Sequence, residues 1–276
     1  MAFNGPYPTV FSGNATAMVI SHTTFSGGVT NTGTIGPHGI SVISGAFLSG
    51  GGILDSGIVS GGIKVDGSSK IVASGGVTQI AIAVKNTQTF SGGISNAGTI
   101  SAGQTGLLIG DVSTFAGGIR NSGKIISKSN HAIVVDNVTV FGNSGGGGIT
   151  NTGTISASGA AFLIENTSTF AGGIANSGSI AATNGRGIRV SNVALFGNSG
   201  TGGGITNIGT ISAGSSGIIV VDTRTFVGGI ANNGTISAGH SNDGIFVSNA
   251  SLFSGGIRNN SGGRIVAGSS GIEVKL

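Results

Sequence analysis

One thirteen-residue unit, Phe-x-Gly-Gly-Ile-x-Asn-x-Gly-Thr-Ile-x-Ala, returns along most of this chain. A unit that returns at a fixed interval confines the fold to architectures in which neighbouring copies stack. Its Phe falls at Phe25, Phe90, Phe115, Phe141, Phe170, Phe196, Phe226 and Phe253. Its Asn falls at Asn31, Asn96, Asn121, Asn151, Asn176, Asn207, Asn232 and Asn259. From Asn96 onward the interval is 25 to 31 residues, the two longest steps coming from the inserts Gly142–Gly145 and Gly197–Gly200. Phe115, Phe170 and Phe226 lie 55 and 56 residues apart, which suggests that coils group in pairs.

The unit alternates with period two, the signature of a half-buried strand. Ile94, Asn96, Ile100 and Ala102 are expected to point one way along a first strand, with Ser95, Thr99 and Ser101 pointing the other. A second strand is Gly-Ile-x-Val, as in Gly217–Val220, and a third ends in Thr-Phe. Three strands in 25 residues describe one coil of a parallel β-helix, with ~80 Å of extended chain per lap. The fold expected is all-β: a single-stranded right-handed parallel β-helix of about nine coils, three short strands in each. Gly61-Gly62-Ile63 with Ile71 matches Gly255-Gly256-Ile257 with Ile265. Residues 36–84 are therefore read as degenerate coils, 25–276 as the repeat domain and 1–24 as an irregular N-terminal coil or cap. The Phe column is expected to stack on itself and the Asn column to chain amide hydrogen bonds from coil to coil. A second polar column precedes each Phe by four residues: Asn86, Asp111, Asn137, Asn166, Asn192, Asp222 and Asn249. Asn and Asp tolerate left-handed backbone at a bend, and Gly-Gly does so at the next corner.

Composition agrees and narrows function. Of 276 residues 57 are Gly without a Gly-X-Y period, which excludes collagen. Apolar residues make up 38%, too many for a disordered Gly/Ser linker. Only 7% are charged, against the usual quarter, and the net charge of +4 contains no basic run that suggests nucleic acid. Cys is absent, so neither a disulfide framework nor a thiolate metal site exists. No apolar stretch is long enough for a transmembrane helix.

The unit Thr-Phe-x-Gly-Gly-Ile-x-Asn-x-Gly-Thr-Ile-Ser-Ala, as in Thr89–Ala102 and Thr225–Ala238, resembles the passenger repeats of bacterial autotransporters, the type V secreted proteins. The similarity runs from about Phe25 to the C-terminus. It implies a right-handed β-helix displayed at the cell surface or secreted, often as an adhesin and mostly not an enzyme. A signal peptide and an outer-membrane barrel are not found in the segment, which is expected to be a piece of a longer passenger.

Candidate chemistry is sparse. His22, His38, His131 and His240 lie in different coils without metal-ligand spacing. Asp136 and Glu165 occupy adjacent coils and are the one carboxyl pair that could serve a glycan-processing or glycan-binding site. The simpler and favoured reading of the same acids is as turn residues on a solvated corner. The Gly tracts Gly145–Gly148 and Gly202–Gly204 lack the Lys-Ser/Thr of a phosphate loop, and Asn242-Asp243-Gly244 is too isolated for a calcium repeat. Thr rows are too interrupted, by Lys124, Ser179, Val140, Leu195 and Leu252, for an ice-binding face. Half the basic residues, Lys64, Lys70, Arg120, Lys124, Arg258 and Arg264, lie on the first strand or its edges, with only Asp66 nearby. They form a candidate face for anionic glycan or lipopolysaccharide.

The expectation is a non-catalytic structural or adhesive rod without cofactor, metal or catalytic residues. It would make weak contacts with host or matrix glycan or protein surfaces along a repetitive face. The alternatives are the glycan-processing β-helix and a self-assembling fibre subunit stacking head to tail through open strand edges.

Overall fold

A computed structural model describes residues 9–25, 27–49, 52–74, 79–143, 147–198 and 203–276. Those residues form three parallel sheets and no helix. Two sheets have ten strands each, and the third has 16. The chain is a β-solenoid of about nine turns: ten strands stacked in one sheet are separated by nine steps, ~43 Å at the usual strand spacing.

Each lap visits the sheets in the same order. The long sheet carries Gly-Ile-x-Val through Thr-Phe, as in the nine-residue strand Ile133–Phe141. The Asn sheet carries the Ile-x-Asn of the motif, as in Ile149–Asn151. The TI sheet carries Thr-Ile-x-Ala, as in Thr154–Ala157. The expected division into strands is corrected here. Ile94 to Ala102 is not one strand but two, Ile94–Asn96 and Thr99–Ala102, in different sheets. The second and third expected strands are instead one bent strand in the middle laps. The bend is the Asx column. Its seven members, Asn86 to Asn249, all have φ between 49° and 55°. Left-handed backbone is tolerated by Asn and Asp because their short polar side chains bond locally.

Gly makes the sharper corners. Gly93 and Gly118 have φ of 72° and 70°. At the corner after each Asn the constraint is space: a Cβ on Gly153 would lie 2.1 Å from the Gly123 carbonyl oxygen of the preceding lap. Stacked backbones at that distance exclude every side chain.

Inward positions build columns that repeat at the strand spacing. Ile100, Ile125, Ile155, Ile180, Ile211 and Ile236 form one, each fully buried. Phe90, Phe115, Phe141, Phe170, Phe196, Phe226 and Phe253 form another, with ring centroids 4.5–5.0 Å apart and planes within 15° of parallel. Each lap covers the apolar edge of the next, so the core is continuous although no lap holds one alone.

The first laps obey the same rules with the motif out of phase. From Thr9 onward the expected N-terminal cap is a regular lap, with strands Thr9–Phe11, Asn14–Ala15, Met18–Ser21 and Thr24–Phe25. Residues 36–73 likewise give ordinary paired strands. Yet Phe25 does not join the Phe column. It sits in the TI sheet beneath Leu48, Ile71 and Ile100. Below Phe90 stand Val59, Ile35 and Ala15. Asn31 likewise lies in the long sheet between Phe11 and Asp55, while Asn96 stands on Val65, Val42 and Ile20. The motif at 25–35 is thus one side of the solenoid earlier than the motif at 90–100. The 65 residues from Asn31 to Asn96 hold two laps and one additional side. Every side needs only alternating apolar residues between permissive corners, so one motif fits any of the three.

Candidate functional site

Two inward polar arrays and two outward charged regions are the places where chemistry concentrates. The Asn ladder is the most regular. Asn96 Nδ2 donates to Asn121 Oδ1 at 2.7 Å, and the relay continues through Asn151, Asn176, Asn207, Asn232 and Asn259 at 2.7–2.8 Å. Each Nδ2 from Asn96 to Asn232 is also 3.1–3.3 Å from the carbonyl two residues on, which ties the side chain to the Gly corner. From Asn96 to Asn232 these amides are buried, so the relay supplies partners that solvent cannot. Seven of the eight Asn predicted for the column stand in it.

Asn31 starts a different pair. Its Nδ2 donates to Asp55 Oδ1 at 2.7 Å inside the core. Asp55 is fully buried, and its Oδ2 has no hydrogen-bond partner. Burial raises its pKa above the usual 3.8, against the opposing donation from Asn31 and the Gly57 N–H. The ladder above ends in a second orphan, Asn96 Oδ1, because apolar Val65 stands where another Asn would donate. Sequence reading missed both. The interval of 65 residues, which is not a whole number of 25-residue laps, was the available signal.

Asp136 and Glu165 are brought together. They are direct partners in the long sheet, between Gly110 and Ser191. Asn166 Nδ2 donates to Asp136 Oδ1 at 2.8 Å. Partial burial, followed by the Asp136 charge, raises the Glu165 pKa, and Arg189 opposes the shift. Beside them an outward apolar cluster of Val134, Ala160 and Leu163 backs onto Leu108. His131 lies at the same margin: its Nδ1 accepts the Ala160 N–H at 2.9 Å, and burial above all lowers its pKa. The pair lies on an open sheet surface. Two grooves of about 340 Å³ do not include either carboxyl: one starts at the neighbouring Asn166 and runs to Asp222 and Arg224, and the other lies beside Leu54 and Lys85. Among the described residues no three His, Asp or Glu side chains are grouped to hold a metal ion, and no helix is long and apolar enough to cross a membrane. The Gly tracts fall partly at 144–146 and 199–202, outside the described residues.

The six cations flank one corner rather than line one strand. Lys64, Arg120 and Arg258 project from the Asn sheet, and Lys70, Lys124 and Arg264 from the TI sheet. All six are exposed. They occur as pairs on shared laps: Lys64 with Lys70, Arg120 with Lys124, and Arg258 with Arg264. The first two pairs are separated by the single lap that carries Ser95 and Thr99. Arg258 and Arg264 are five laps further on. Phe47, half-buried on the outer face, stands next to Lys70 and was not singled out in the sequence. Comparison of the chain with protein-family models, with curated proteins and with solved structures finds no match in any of the three.

Proposed function

We propose that this chain is a rigid, non-catalytic segment of an autotransporter-like passenger, displayed at a bacterial surface or secreted, which makes repeated weak contacts along its length. The observation that carries the reading is the unbroken stacking of Phe, Ile and Asn columns over most of the solenoid under shallow surfaces. Such a body is stiff and presents its outward side chains at a fixed step. Weak contacts summed along it give avidity without a deep pocket. The repeat resemblance supports the surface setting. Beads coated densely with the chain should adhere to glycan-bearing surfaces, while the free monomer binds the same surfaces too weakly to compete. Tight binding of one monomer at a single site would overturn the reading.

A second reading rests on the in-register Asp136–Glu165 pair, in which Glu165 holds its proton above the ordinary carboxyl range. Polysaccharide turnover that disappears in Asp136→Asn and Glu165→Gln would favour it.

A further inference from the structure

The net positive charge of the rod is confined to one edge. Six cations on the Asn and TI sheets face a single acid there, Asp66. The other six, Lys85, Lys128, Arg186, Arg189, Arg224 and Lys275, lie on the long sheet and its corners. They share that side with six acids, Asp111, Asp136, Glu165, Asp222, Asp243 and Glu273. The eighth acid, Asp55, is inside. Among the described residues the one ion pair is Lys275–Glu273, on the balanced side. The cations of the other edge therefore spend their charge on no acid of the chain.

We infer that Lys64, Lys70, Arg120 and Lys124 form a binding edge for a linear acidic polysaccharide bearing sulfate or uronate groups. This inference deepens the surface-rod reading and rests on it. The four charges sit at the corners of a box, one pair two laps from the other, ~9.6 Å at the strand spacing. A fixed backbone spacing of cations suits a polymer whose acid groups recur once per repeat, because only the side chains and not the backbone must be ordered on binding. Between and beside the charges lie hydroxyls. A groove of about 290 Å³ is lined by Ser95, Arg120, Asn121, Ser122, Thr150 and Thr152. Thr99 fills the lap between Lys70 and Lys124, and the outward ring of Phe47 offers an apolar platform for the face of a sugar. Two other anionic partners fit less well. Single-stranded nucleic acid uses several aromatics in succession, and this edge has one. A lipid surface is held by apolar side chains inserted below the headgroups. Among the exposed large apolar residues Ile208 alone stands at this edge, three laps past Arg120 and Lys124, and others, such as Leu54, Leu252 and Val274, lie on the long sheet.

The experiment uses the full chain and a fluorescent heparin oligosaccharide, with neutral dextran, an oligo-thymidine of matched length and anionic lipid vesicles as comparison probes. Heparin should bind with an affinity that falls steeply with salt, and dextran should not bind. Arg120→Gln/Lys124→Gln should weaken heparin at least tenfold. Arg258→Gln/Arg264→Gln, five laps away, should weaken it no more than about twofold, and Lys85→Gln/Arg224→Gln on the balanced side should leave it unchanged. Equal losses in all three double variants, or tighter binding to oligo-thymidine or vesicles, would overturn the assignment. Small-angle scattering of each variant separates the two readings. An unchanged rod without heparin binding refutes the edge alone, whereas a chain that is not rod-shaped in the unsubstituted protein refutes the rod.

Discussion

The laps before Ala73 and those after Ile82 are built on one plan, yet they are stabilised differently. The later laps stack seven Phe rings and seven Asn amides in unbroken columns. The earlier laps replace the Phe column by Ala15, Ile35 and Val59 and the Asn column by Ile20, Val42 and Val65. Of the four buried side-chain polar atoms without a partner among the described residues, three, Asp55 Oδ2, Ser69 Oγ and Asn96 Oδ1, lie near the boundary, and Arg186 Nε lies far from it. A solenoid tolerates such a change of phase because each lap needs only to match its neighbour. The cost gathers at the seam, where a polar column meets an apolar one.

Substitutions can test that contrast. Because a repeat array opens locally, amide hydrogen exchange resolved by lap is the suitable readout. Phe170→Ala should be the most damaging, destabilising its laps by about 4 kcal/mol, while Val59→Ala in the same column should cost about half as much. Equal losses at the two positions would remove the difference between the regions. Asn151→Val should cost about 2–4 kcal/mol, since Asn176 Oδ1 is left buried without its donor and Asn121 Nδ2 loses its acceptor.

Asp55 gives the early laps a pH dependence that comes from inside the core, whereas the shifted groups of the later laps, Glu165 and His131, lie only partly buried on the outer face. Its folded pKa is raised above 3.8, so the fold favours its protonated form. The stability it contributes is full below 3.8, declines as pH climbs through the raised folded value, and is level above that. Exchange protection around residues 53–59 should therefore fall between acid and neutral pH, and Asp55→Asn should abolish the fall and protect the region at neutral pH. A pH-independent wild type would show that the carboxyl is ionised at no cost. The smallest change is expected from Val65→Asn. The new amide would donate to Asn96 Oδ1 and pass the orphan one lap down, for a net effect within about 1 kcal/mol. Val65→Asn as harmful as Asn151→Val would mean that the seam is not a matter of ladder termination.

Much of this was legible in the residues themselves. Alternation at Ile149–Asn151 and Thr154–Ala157 gave the inward residues but not the corner that divides them into two strands, and Asn86 through Asn249 marked a left-handed bend. Phe25 and Asn31 were misplaced because local pattern states which residues face inward but not which side of the lap they occupy. The seam at Asp55 was hidden for the same reason, whereas the meeting of Asp136 with Glu165 was legible from their shared place before the Asx column, and only Arg189 beside them was not.

Sequence alone determined the lap: its length, its inward residues and its Asx and Gly-Gly corners, all of which follow from steric and solvation rules that act over a few residues. Tertiary structure decided the phase. Which motif lies over which, which amides lack a partner and which cations share an edge depend on summing chain length across many laps, and a single extra side of twelve residues moves every later residue to a different face.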